Sequence, residues 1–129
     1  MATWRQVSRF ALSLPQASER DARGARQWRV KDKLFVWERP LRPKELESLG
    51  AAAPRGAILA ARVEHLHAKE ALLASEPHVY FTTSHFHGYP AVLARLDLLG
   101  AAELRELVTE AWLARAPARL AQEFLARGG

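Results

Sequence analysis

Two short runs of aromatic and β-branched residues, Gln27-Trp28-Arg29-Val30 and Leu34-Phe35-Val36-Trp37, stand three polar residues apart. Valine, phenylalanine and tryptophan suit the pleated, half-buried surface of a strand. So brief a connection joins only antiparallel neighbours. The chain is thereby committed to a sheet that contains a hairpin around Lys31-Asp32-Lys33. Side chains alternate along a strand, so Trp28 and Val30 share one face while Arg29 and Lys31 share the other.

What flanks the hairpin completes the layout. Val7, Phe10, Ala11 and Leu14 recur at helical spacing and predict a helix over residues 4–14, with Thr3 as N-cap and Pro15 as its stop. Residues 16–27 are polar and arginine-rich, with room for a short edge strand. Residues 43–49 read as a turn or two of helix with Pro43 at its first position. Strands are expected over 57–63, 78–83 and 91–98, and a short helix over 67–75. The strongest helical pattern covers 101–115, where Leu104, Leu107, Val108, Ala111 and Trp112 form the stripe and Glu103 and Glu106 suit the positive end of the helix dipole. Pro117 opens a last helix through Leu125, with Leu120 and Phe124 on one face. Helix, hairpin, further strands and helix together argue for an α+β fold, an antiparallel sheet with N-terminal and C-terminal helices packed on one face. The other face is expected to stay partly solvated. At 129 residues the whole chain, 1–129, reads as a single domain.

Composition removes several function classes. There is no cysteine, which excludes a disulfide framework, a thiolate metal site and a cysteine nucleophile. The longest unbroken apolar stretch, residues 57–61, is far too short for a bilayer span, and Arg5 and Arg9 interrupt the first ten residues where a secretory leader would be apolar. A cytoplasmic location without membrane contact is the expectation. Net charge is +5, and it is unevenly placed: residues 1–42 hold ten Lys and Arg against Glu19, Asp21, Asp32 and Glu38. Such asymmetry attracts polyanions.

Several segments in order resemble the MmcQ/YjbR family of small bacterial proteins. They are Leu12-Ser13-Leu14-Pro15, the hairpin from Trp28 to Phe35, the run from Phe81 through Ser84-His85-Phe86-His87-Gly88-Tyr89-Pro90 to Leu93, and Glu103-Leu104, Ala111-Trp112 and Ala116-Pro117-Ala118-Arg119-Leu120. The resemblance implies an α-β-α architecture similar to the frataxin/CyaY fold and DNA binding through a two-winged surface. Two departures stand out. Lys31-Asp32 replaces a glycine-containing turn, which would stiffen the wing tip and make it more basic. His87 stands where an acidic residue is common, so no family role is carried over to that side chain.

The candidate contacts to nucleic acid are Arg26, Arg29, Lys31, Lys33 and Arg39. Guanidinium groups bind phosphate bidentately, and strand-face and tip positions expose them. Trp28, Phe35 and Trp37 are assigned to packing. No helix-turn-helix, zinc-finger or RNA-recognition pattern is present, so backbone contact to DNA without sequence readout is the expectation. The alternative is a protein-interaction module of unknown partner, docking through the 84–90 loop with His85, Phe86 and Tyr89 as its contacts.

Metal, cofactor and catalysis are not expected. His65, His67, His78, His85 and His87 form pairs that nothing in the sequence brings together, and His85 is read as a brace for the Gly88-Tyr89-Pro90 turn. Iron binding needs clustered carboxylates, whereas the first helix offers Arg5 and Arg9. Ser84 and His85 are neighbours whose side chains point apart on an extended chain, and no glycine-rich phosphate loop occurs.

Overall fold

Residue patterning produces five helices and a six-stranded antiparallel sheet in the computed structural model, which describes residues 1–128. In chain order these are α1 (Trp4–Leu12), β1 (Ala17–Ala22), β2 (Ala25–Val30), β3 (Lys33–Glu38), α2 (Pro43–Leu49), β4 (Ile58–Arg62), α3 (Leu66–Ser75), β5 (Tyr80–Phe81), β6 (Ala91–Arg95), α4 (Ala101–Arg115) and α5 (Ala118–Ala126). Strand order across the sheet is β1-β2-β3-β4-β6-β5. The α+β class is as expected from the sequence.

Each boundary has a local cause. Thr3 caps α1 by accepting from the Gln6 N–H, while the Gln6 side chain accepts from the Thr3 N–H. His65 does the same work for α3 through the Ala68 N–H. The β2–β3 turn has two residues rather than three: Lys31 and Asp32 both take left-handed backbone, at φ 49° and 65°, and Lys33 already belongs to β3. That is the twist-matched hairpin turn in which asparagine and glycine usually stand, here made without either.

β3 carries one bulge. Trp28 faces Val36 and Arg29 faces Leu34, so Phe35 is the extra residue and both it and Val36 turn toward the helices. On that side Val7, Phe10, Trp28, Phe35, Leu59, Val92, Leu104, Val108 and Trp112 form the main core under α1 and α4. The Trp112 indole donates to Pro15 O at 3.1 Å, and its ring lies 4.9 Å from that of Phe124 of α5, tilted at 55°.

The opposite face is solvated in part, as expected, with its β4–β6–β5 half covered. Trp37, Ile58, Ala60, Phe81, Ala91 and Leu93 are apolar on that side, and they pack with Phe86, Leu41 and Leu49, the last residue of α2. Strands buried on both faces lose the alternating polarity of a solvated sheet. Only β1, β2 and the turn half of β3 keep an open outer face; Trp37, near the other end of β3, packs with Phe86. Two strands are also shorter than their sequence pattern: Leu96–Leu98 turns into a 3-10 helix, and residues 82–83 leave the sheet for the Ser84–Phe86 turn.

Candidate nucleic-acid interface

Strand register sorts the charges of the wing. Glu19 opposite Trp28, Asp21 opposite Arg26, and Glu38 lie on the helix side. All three are used internally there. Glu19 accepts from Ser8 and from the Trp28 indole, Asp21 from the Gly24 N–H, and Glu38 from the Arg26 N–H. On the outer side Arg20 faces Gln27, and Ser18 faces Arg29. No carboxylate of β1, β2 or β3 shares that face.

The two arginines converge on the hairpin turn. The Arg20 guanidinium lies 3.4 Å from the exposed Asp32 carboxylate, and Arg29 donates to the Asp32 carbonyl at 3.1 Å and to Gln27 Oε1 at 2.9 Å. Arg29, half-buried, is thus held by neutral oxygens that leave its charge uncompensated. Lys31 and Lys33, both exposed, bracket Asp32. Of these four cations Arg20 alone pairs with the Asp32 carboxylate, Arg29 holds the Asp32 backbone, and the two lysines flank it in the chain; that carboxylate is one that water already reaches.

The sequence-derived set of five is therefore only partly brought together. Arg29, Lys31 and Lys33 share the tip. Arg26 is on the other face, 3.6 Å from Glu38 and stacked at 5.6 Å on Trp4. Its position follows from alternation, since it is an odd number of residues from Arg29. Arg39 is excluded outright: it is buried, forms a two-pronged pair with Glu45 at 3.0 Å, donates to Pro40 O, and lies 5.2 Å over the Phe86 ring. Arg20, absent from the sequence-derived set, joins the tip because its strand pairs in the register that places it beside Arg29.

The 84–90 loop is a braced structural element. Phe86 is buried in the second core, which removes it as a docking anchor. Tyr89 is exposed, yet its hydroxyl accepts from Arg62 at 2.9 Å with the guanidinium 4.9 Å over its ring. His85 packs edge-on against Phe86 and makes no hydrogen bond among the described residues. The brace assigned to it is supplied by the buried Lys69, whose ammonium donates to Phe86 O at 2.6 Å and Tyr89 O at 3.0 Å. Burial pushes the Lys69 amine below its ordinary pKa.

Arg39, Glu45 and Thr83 tie the other end of this loop to α2. The Glu45 carboxylate accepts from Arg39, from the Arg42 N–H at 2.8 Å and from Thr83 Oγ1 at 2.8 Å. Burial alone would raise its pKa; the Arg42 N–H, Arg39 and Thr83 hydrogen bonds and the Arg39 charge outweigh that and hold it at about 2. Glu45 follows Pro43 at the capping position of a helix start, a legible signal for its backbone bond, but nothing in the sequence links it to Thr83. Among the described residues no three His, Asp or Glu side chains gather as a metal site, and no helix is long and apolar enough to cross a membrane.

Comparison with known proteins accords with this architecture. A family model described as YjbR matches residues 12–114. Uncharacterized proteins of Mycobacterium bovis and Mycobacterium tuberculosis are 49% identical over 132 aligned positions that take in all of both chains. A crystal structure of a Deinococcus radiodurans protein, a DUF419 domain, superposes with a TM-score of 0.63 at 18% identity, covering 88% of this chain and 78% of that one.

Proposed function

The chain belongs to the YjbR family, and on that footing we propose that it is a non-catalytic, single-domain DNA-binding protein of the cytoplasm. It grips the phosphate backbone through the tip of the β1–β2–β3 wing. The observation that carries the reading is the convergence of Arg20 and Arg29 on Asp32, with Lys31 and Lys33 on either side. Arginine offers phosphate a paired set of donors, and lysine adds mobile positive charge. Asp32 is the weak internal stand-in for a phosphate, since an ion pair this exposed contributes little and is readily exchanged. Such contact reads charge rather than base sequence.

Fluorescence anisotropy with a labelled duplex, repeated from about 50 to 200 mM salt, tests this. Alanine at Arg20, Arg29, Lys31 or Lys33 should each flatten the log–log salt dependence by about one unit for every phosphate left without its cation. Arg26→Ala should leave it unchanged. Affinity that does not fall with salt, or that survives removal of all four tip cations, refutes the proposal.

A further inference from the structure

Between α3 and α4, on the helix side of the sheet and away from the wing tip, lies a groove of about 450 Å³. Its floor is apolar, formed by Leu72, Leu107 and the Tyr80 ring. Its α3 wall is Ala68, Ala71 and Ser75, one helical face of small side chains, which is why the space stays open. Glu64, Glu76, Glu103, Glu106 and Glu110 rim it, with Arg62 as the one cation at the lining among the described residues.

Two observations mark it as a site. Glu103, Glu106 and Glu110 repeat at i, i+3 and i+7 on α4, so neighbouring like charges repel along the helix. Among the described residues neither they nor Glu76 form an ion pair that would relieve this. Independently, Tyr80 is only 4% exposed and lines the groove, yet its hydroxyl has no hydrogen-bond partner among the described residues. Burial first, and then the charges of Glu76, Glu103 and Glu106, push that hydroxyl up to about 12, so it stays neutral with an oxygen free to accept.

We propose that this groove binds a linear aliphatic polyamine, with its methylene body along Leu72, Leu107 and the Tyr80 ring and its ammonium groups toward the carboxylates. Glu103 to Glu110 covers about 10 Å of helix axis, room for an extended chain with a few methylenes between nitrogens. The volume lies in the small-molecule range of about 300–1,000 Å³ and is short for a docked partner helix. Arg62 sets the polarity, keeping the ammonium groups toward the α4 side. None of the wing residues takes part, so this site stands or falls apart from DNA binding.

Calorimetric titration with spermidine at low salt is the test. One saturable site is expected. Affinity should drop about tenfold in Glu103→Gln/Glu106→Gln, as two solvent-facing ion pairs imply. It should drop several-fold in Tyr80→Phe, which keeps the ring packing, and hold steady in Glu47→Gln/Glu123→Gln. The Glu→Gln changes relieve repulsion along the helix but give up the contact of Glu103 with the positive end of α4, so the two effects offset and thermal unfolding should show these variants close to the parent in stability. Hexaamminecobalt(III), equal in charge but without methylenes, should bind at least about tenfold more weakly, since burying even a few methylenes at about 0.8 kcal/mol each separates the two. Equal binding of the cobalt complex, unchanged affinity in the groove variants, or tighter binding of an arginine-rich helical peptide overturns the proposal.

Discussion

Glu45→Gln keeps the shape of the side chain and removes its charge, leaving the Arg39 guanidinium buried opposite a neutral amide. The structure sets the scale in two ways. Breaking a buried ion pair by neutralising one partner typically costs about 3–5 kcal/mol. The Glu45 carboxyl lies at about 2 against an ordinary 4.5, a shift that corresponds to roughly 3 kcal/mol of stabilisation of the charged form. The folded-state value is below the unfolded one. This contribution is therefore complete above about pH 4.5 and is lost as pH falls toward 2. Parent and variant should differ by roughly 3 kcal/mol at pH 7 and converge in acid, where the parent carboxyl is itself protonated. Urea unfolding followed by tryptophan fluorescence at steps from pH 7 to about 2.5 measures the gap directly. A gap below about 1 kcal/mol at pH 7, or one that stays constant into acid, refutes the assignment of Arg39 and Glu45 as a mutually dependent buried pair.

Two other outcomes are expected. Asp32→Gly relieves a left-handed backbone residue and removes the only acid at the wing tip, so stability should rise by roughly 0.5–1 kcal/mol while DNA affinity also rises; Asp32→Asn should reproduce the affinity gain with a smaller stability gain, and weaker binding by both would remove the tip from the interface. Lys69→Met retains the apolar stem but leaves Phe86 O and Tyr89 O without a donor, for a loss of about 1–3 kcal/mol; amide exchange in residues 86–91 should accelerate, and unchanged exchange with an unchanged melting temperature would show that the lysine does not brace the loop.

Much of the fold is legible in the sequence because it rests on local periodicity. The stripe from Leu104 to Trp112, the Thr3 cap and the Trp28–Trp37 hairpin each carry their own signal within a few residues. Long-range polar contacts carry none. Arg39 reads as another surface cation of a basic segment, and only the Thr83 contact to Glu45 and the Phe86 ring against the Arg39 guanidinium show why it is buried. Arg20 belongs to a stretch too polar to assign firmly, and its place beside Arg29 depends on a strand register that its own side chains do not specify. The open and closed halves of the outer face are likewise invisible in the sequence. They depend on where α2 and the 84–86 turn come to rest.

The extra residue at Phe35 also governs how this wing can change length. Residues on the turn side of it and those on the core side are out of phase by one, and it alone reconciles them. Excising it would rotate one half of the strand through half a turn, bringing Leu34 inward or sending Val36 out to water. Relatives that lengthen or shorten the wing should therefore do so two residues per strand at a time, or shift the kink with the change, because a single-residue edit inverts the parity of everything beyond it.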